Sequence, residues 1–211
     1  MTELVLFDYF RSSASYRVRI GLNLKGVAWR RIDVSLLDGD QRSEANLRRN
    51  PQGFVPTLEV DGRPISQSLA ILDWLDRTHP EPAFLPADAF ARAAAQARAL
   101  LIACDIHPLN NLRVLGYLKR TLGQDDDARD AWYRHWVREG FTALERMAGD
   151  GPYLGGPAPD LSDICLVPQM YNARRFALDL DPFPRLVAID AALQEIDAFS
   201  AAHPDRVAQG S

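Results

Sequence analysis

Three short stretches combine hydroxyl, amide and guanidinium groups at spacings that suit an anionic or peptidic ligand. The first is Arg11-Ser12-Ser13-Ala14-Ser15, directly ahead of an apolar helical pattern. A helix N-terminus offers N–H donors without intrahelical partners and a partial positive charge, so a hydroxyl placed there can hold an anion. Simple N-capping by Ser12 or Ser13 uses the same residues, but one cap needs fewer than three serines and an arginine. The second stretch is Phe54-Val55-Pro56-Thr57, a proline immediately before a strand-like run. As a structural stop it is allowed at a first strand position. The third, Gln67-Ser68, opens another apolar helix, where an amide and a hydroxyl serve as a cap or receive a carboxylate.

Further candidates lie in the second half. His107-Pro108 interrupts a long helical pattern, with Asn110, Asn111 and Arg113 just beyond, and Arg174-Arg175-Phe176 sits on a mainly apolar helix. The plain readings are a satisfied histidine and a solvated helix face. Asp160-Leu161-Ser162-Asp163 is a capping-box variant and is assigned to folding. Asp125-Asp126-Asp127 with Arg129-Asp130 reads as a solvated charge run in a loop and lacks metal-site spacing. Cys104, on an apolar helix, reads as a small core residue.

The elements that must position these groups are set by apolar periodicity. Leu4 to Phe10 is a strand-length apolar run, and Tyr16/Ile20/Leu24 with Val18/Leu22 form a helical face closed by Lys25-Gly26. Trp29 to Val34 alternates as a strand, and Gln41 to Arg49 is polar and helical. Residues 57–60 and 63–66 flank Asp61-Gly62 as a hairpin, and Ile71, Leu72 and Leu75 share one face of the next helix. The order β-α-β-α-β-β-α is that of a thioredoxin-like unit. In such a unit the pre-strand proline is expected to be cis, turning the main chain of Val55 outward toward an extended peptide. Pro80-Glu81-Pro82-Ala83-Phe84-Leu85-Pro86 cannot be regular helix or central strand and marks an interdomain linker. Beyond it, helices are expected near 87–121, 128–147, 161–177 and 185–200. The expected fold is α/β, then all-α: a thioredoxin-like domain over residues 1–80 and a helical bundle over residues 87–211, with a loosely held tail after about Pro204.

Composition narrows the function classes. Of 211 residues, 47% are hydrophobic and 25% charged, with a formal net charge of −4, which argues against a nucleic-acid or anionic-membrane binder. The basic residues are 22 Arg and two Lys, Lys25 and Lys119. Net charge is +1 over residues 1–80 and −5 beyond, so the charge balance shifts at the linker. No apolar run reaches the length of a membrane span and no signal peptide is expected. Cys104 and Cys165 form no CxxC or zinc spacing, and a cytoplasmic protein with reduced thiols is expected.

Taken together, these pieces resemble a soluble glutathione transferase of the zeta class, the class that includes maleyl keto acid isomerases. The resemblance runs from Leu4 to about Phe199. Its most specific element is Arg11-Ser12-Ser13-Ala14-Ser15-Tyr16-Arg17-Val18-Arg19-Ile20, similar to the class signature Ser-Ser-Cys-x-x-Arg-Val-Arg. Asn50-Pro51-Gln52-Gly53-Phe54-Val55-Pro56 and Gln67-Ser68-Leu69-Ala70-Ile71 are similar to two further glutathione segments of the family. Cys104 to Leu112, Val167-Pro168-Gln169, Ala173 to Phe176 and Asp179 to Pro184 resemble stretches of the helical domain. The class usually has Cys where this chain has Ala14, a departure shared with the related maleylpyruvate isomerases.

The resemblance implies a glutathione-dependent cis–trans isomerase and a homodimer, a state that the apolar faces near residues 87–105 would also suit. Maleylacetoacetate is the first expected substrate and maleylpyruvate the alternative; transfer to α-halo acids and a purely binding role are the other readings. It implies a glutathione set of Ser12, Ser13, Ala14, Ser15, Tyr16, Arg17, Gln41, Gln52, Val55, Gln67, Ser68, His107, Asn111, Leu112 and Arg113. Ser12 would donate to the glutathione sulfur with support from Ser13, and Gln67 and Ser68 would hold the γ-glutamyl end. Arg11 and Arg175 would grip the carboxylates of a dicarboxylic keto acid, with Arg113 a further candidate. A free thiol of pKa about 8.5 is mostly protonated at neutral pH, so a hydroxyl hydrogen bond at a helix N-terminus has a clear purpose.

Overall fold

The computed structural model describes residues 2–209. The chain divides into two compact units, one running to Ala83 and resuming at Ile196, the other spanning Phe84–Glu195.

The first unit is built on four strands: β1 (Leu4–Asp8), β2 (Arg30–Asp33), β3 (Thr57–Val60) and β4 (Arg63–Ser66). Their order is β2-β1-β3-β4, with β1 parallel to β2 and antiparallel to β3, and β3 antiparallel to β4. All five residues of β1 are buried, which is why that strand reads as a continuous apolar run. The outer strands carry Arg30, Arg31, Arg63 and Pro64, residue types that tolerate or protect a sheet edge. At the hairpin Asp61 and Gly62 both take positive φ, 48° and 77°, as a two-residue turn between twisted strands requires. Helices α1 (Ser13–Leu24), α2 (Glu44–Arg49) and α3 (Ser68–Thr78) complete the expected order. The polar stretch at 41–49 splits into a 3-10 turn, Asp40–Arg42, and α2. Ser43 separates the two by accepting the Asn46 N–H.

The end of the chain departs from expectation. The helix expected at 185–200 breaks at Ile196, whose backbone is extended (ψ 121°). From there the chain packs with the first unit instead of completing a bundle to residue 211. Phe199 and Ala202 are buried there, and the carbonyls of Ala198 and Ala202 accept from Asn23 and Arg19 of α1. The tail read as loosely held is helical at Pro204–Gln209.

The second unit is all helical. The expected single helix at 87–121 is four pieces: α4 (Ala89–Leu100), a π-helical stretch Leu101–Ile106, a 3-10 turn His107–Asn110, and α5 (Leu112–Arg120). After them come α6 (Asp126–Met147), α7 (Leu161–Arg175) and α8 (Pro184–Gln194). Asp125 caps α6 by accepting the Ala128 N–H, so part of the supposed loop charge run is a helix start. Eleven of the fifteen residues of α7 are buried, which makes it the central helix of this unit. Its capping box closes as the sequence implies, the Asp160 carboxylate accepting the Ser162 N–H and Asp163 accepting the Asp160 N–H. Burial pushes the Asp163 carboxyl up to about 7, against the N–H groups of Asp160 and Leu154, which favour its charged form. Cys165 is buried, but Cys104 is exposed, because the π-helical stretch turns it outward instead of into the core. Among the described residues no helix is long and apolar enough to cross a membrane.

Candidate active site

In the first unit, Ser12 is the N-cap of α1: its hydroxyl accepts the Ser15 N–H at 3.3 Å and its carbonyl accepts the Tyr16 N–H at 2.8 Å. Capping uses an acceptor lone pair, so the O–H proton stays available to donate. The simple reading and the chemical one are therefore compatible in one side chain. Ser13 and Ser15 are buried in the first turn, and the Ser15 hydroxyl has no hydrogen-bond partner among the described residues.

The loop that delivers Ser12 is held by a charge network that sequence reasoning missed. Arg19, fully buried, donates through Nη1 to both oxygens of Asp8 (2.8 and 3.0 Å) and through Nη2 to the Phe10 carbonyl at 2.9 Å. Arg31 donates to Asp8 from the other side at 2.8 Å. Burial lowers the Arg19 pKa and the facing Asp8 carboxylate opposes that shift. The available signal was two arginines, Arg17 and Arg19, inside an otherwise apolar helix. Tyr16 lies in the interior, its ring edge-on to His203 at 6.2 Å, so its side chain serves packing. Arg11 is exposed, its guanidinium 5.0 Å from the Phe10 ring centre.

A second group gathers at the start of α3. Gln67 precedes the helix with φ 71°, and its side-chain amide donates to the Gln52 side-chain oxygen, Oε1, at 2.7 Å. Arg17, buried beneath, donates to the Ser68 hydroxyl at 3.4 Å. The Val55-Pro56 peptide is cis, as expected for this fold. Strand pairing of β3 begins only at Thr57, and among the described residues the Val55 main chain makes no hydrogen bond. Asn50 shapes the approach to it, accepting from Gln52 N–H and donating to the Phe54 carbonyl. Gln41 stands in the 3-10 turn, with its carbonyl 3.1 Å from where a Cβ on Gly53 would lie. Gly53 itself has φ 64°, so both space and conformation call for glycine.

In the second unit, His107 opens the 3-10 turn, Asn111 caps α5 by accepting the Arg113 N–H at 3.0 Å, and Leu112 and Arg113 are exposed. Two bonds tie that turn to α6, from Asn110 to the Tyr133 carbonyl and from the Trp132 indole to the Leu109 carbonyl. The close approach of α6 depends on Gly140, where a Cβ would fall 2.2 Å from Ile106 Cδ1. Arg174 pairs with buried Asp190 and is structural. Arg175 is exposed, with its guanidinium 4.9 Å over the Phe176 ring and facing the Tyr133 phenol.

A thioredoxin-like unit with two helix N-termini and an unpaired peptide at a cis proline, joined to an all-helical unit, defines the soluble glutathione transferase architecture. The sequence model for the glutathione S-transferase N-terminal domain matches residues 6–83. The maleylacetoacetate isomerase of Rhizobium meliloti (strain 1021) is 47% identical over 207 residues, covering 97% of each chain. A solved structure of maleylpyruvate isomerase, a bacterial zeta-class glutathione S-transferase in its holo form, superposes with a TM-score of 0.94 at 43% identity, covering 96% of this chain and 97% of that one. Maleylacetoacetate isomerase from Methylobacterium extorquens AM1, solved with malonate and glutathione bound, superposes with a TM-score of 0.92 at 37% identity, covering 96% and 97%. The chain belongs to the zeta class of the glutathione transferase family.

Proposed function

We propose that this protein is a glutathione-dependent cis–trans isomerase of a maleyl keto acid, converting maleylacetoacetate to fumarylacetoacetate. The observation that carries the reading is Ser12: a capping hydroxyl with a free donor, at the positive end of a twelve-residue helix. The residues fit glutathione as a short anionic peptide. The unpaired Val55 main chain suits its cysteinyl part, while Gln67 and Ser68, with Gln52 and Arg17 behind them, suit the γ-glutamyl carboxylate. Gln41 is assigned to the glycyl end. Glutathione supplies a thiolate that adds to the cis double bond, permits rotation about the resulting single bond, and leaves again to give the trans diacid.

Ser12 holds the sulfur in its charged form by donating a hydrogen bond, with Ser13 and the N–H groups of the first turn adding to the local positive potential. Arg11 and Arg175 take the two substrate carboxylates, each able to present paired N–H donors to one carboxylate. His107, Asn111, Leu112 and Arg113 complete the proposed glutathione set, and Arg113 is a further candidate for a substrate carboxylate. The isomerase named in the first relative, and the malonate and glutathione bound in the Methylobacterium structure, support a small dicarboxylic substrate. Maleylpyruvate is the second reading, favoured by the maleylpyruvate isomerase superposition and by Ala14 in the position that is usually Cys.

The protein is assigned to the cytoplasm, where its thiols stay reduced, and to a homodimer. Phe90, Ala93, Ala97 and Leu100 form an exposed apolar stripe on α4, with Phe90 84% exposed, a face that a second copy would cover. Light scattering that returns the monomer mass of 23.6 kDa at micromolar concentration removes the dimer. The deciding assay measures turnover of both maleyl keto acids with and without glutathione, with dichloroacetate in parallel. Strict glutathione dependence on a maleyl keto acid is expected. Turnover of dichloroacetate alone replaces the isomerase with a transferase.

A further inference from the structure

The end of α7 is built in an unusual way. The Tyr133 and Phe176 rings lie flat on each other, with centroids 3.6 Å apart and planes 9° from parallel. Aromatic pairs prefer offset or edge-on contact to a close face-to-face sandwich, because the electron-rich faces repel. A cation over the stack relieves that repulsion, and the Arg175 guanidinium lies 4.9 Å over the Phe176 ring. Tyr133 is 3% exposed, and its phenol lies within the electrostatic reach of Arg175 and of Gln169. Both favour its charged form, while the larger effect of burial pushes the phenol up to about 12. It is therefore a neutral hydroxyl at any working pH, and its oxygen can accept from the guanidinium.

The backbone also holds Phe176 in place. Phe176 ends α7, Ala177 N–H bonds back to the Arg174 carbonyl, and Leu178 N–H bonds to the Ala173 carbonyl, the double bond pattern of a Schellman stop. The residue at its left-handed position is Ala177, φ 50°, where glycine is the usual choice. A non-glycine residue in that conformation is strained and persists where the surroundings over-determine it. Arg134 of α6 adds a bond to the Phe176 carbonyl at 3.3 Å.

We infer that Tyr133 and Phe176 are positioning residues for the isomerisation: the stacked rings, with the Tyr133 hydroxyl, hold the Arg175 guanidinium in the orientation that receives a substrate carboxylate. This inference rests on the reading of Arg175 as a carboxylate ligand. The same stack ties Arg175 to the His107–Asn110 turn, because the Tyr133 carbonyl accepts from Asn110. Without the phenol, the Arg175 guanidinium samples orientations that cannot offer both N–H groups at once.

Steady-state kinetics on the maleyl keto acid test this with Arg175→Ala, Tyr133→Phe and the double variant, alongside glutathione titration and thermal unfolding of each. Tyr133→Phe keeps the ring stack and is expected to raise the substrate KM about 3–10-fold, with glutathione affinity unmoved. The double variant is expected to match Arg175→Ala alone, because Tyr133 acts only through Arg175. Phe176→Leu removes the cation contact by a separate route and is expected to move KM in the same direction. A wild-type KM in Tyr133→Phe beside a raised KM in Arg175→Ala overturns the positioning role and spares Arg175. Losses that simply multiply in the double variant also overturn it. An unchanged KM in Arg175→Ala overturns the carboxylate reading of Arg175, and the positioning role with it.

Discussion

The two arginine-bearing helix ends of this protein are held by opposite means. At the start of α1, the loop carrying Arg11 and Ser12 is clamped by buried charge: Arg19 spans Asp8 and the Phe10 carbonyl, and Arg31 closes the other side of Asp8. At the end of α7, Arg175 is exposed and is steadied by a ring stack and a strained helix stop. A buried ion pair holds backbone in one place at a high desolvation cost, so it suits a loop that must present a hydroxyl and main-chain donors in register. A stacked ring leaves a guanidinium hydrated and able to adjust, which suits a group that meets a substrate and releases a product. The difference separates what has to be rigid from what has to be oriented.

Substitutions at the two ends can break that contrast. Arg19→Met leaves Asp8 buried with Arg31 alone, and is expected to cost about 3–5 kcal/mol of stability, read by denaturant unfolding. Arg175→Ala, being exposed, is expected to lose less than about 1 kcal/mol in the same measurement. Equal losses would erase the distinction. Next in size, Ser12→Ala removes the hydrogen bond proposed to the glutathione sulfur, expected to cost about 1.5–3 kcal/mol or roughly 10–150-fold in kcat/KM. The lost cap lowers stability by about 1 kcal/mol. If Ser13→Ala abolishes turnover and Ser12→Ala does not, the donor is the neighbour.

Gly140→Ala tests the turn beside His107, since the added Cβ meets Ile106 at 2.2–2.3 Å. About 1–3 kcal/mol should be lost through overpacking, visible as a lower melting temperature with glutathione affinity retained. The smallest effect has the opposite sign. Ala177→Gly relieves the left-handed strain at the end of α7 and should raise stability by about 1 kcal/mol. A fall in stability would show that Ala177 is held there by packing of its methyl group.

Local chemistry made much of this protein legible in its residues. The order β-α-β-α-β-β-α, the Asp61-Gly62 turn, the Ser12 cap and the Asp160–Asp163 capping box all depend on groups within a few positions of each other, where periodicity and capping rules act. The three stretches proposed to hold glutathione lie in such segments; residue type and spacing marked them for an anionic or peptidic ligand, and the resemblance to the zeta class supplied which one. Only tertiary structure decided that the segment from Ile196 on joins the first unit, because the contact it makes joins Arg19 to a carbonyl 183 residues away. It likewise decided that Cys104 faces out, that the helix expected at 87–121 is four pieces, and that Tyr133 lies flat on Phe176. Each depends on which surfaces meet after the chain folds back, and hydrophobic period gives the face of a helix without naming the partner it will cover.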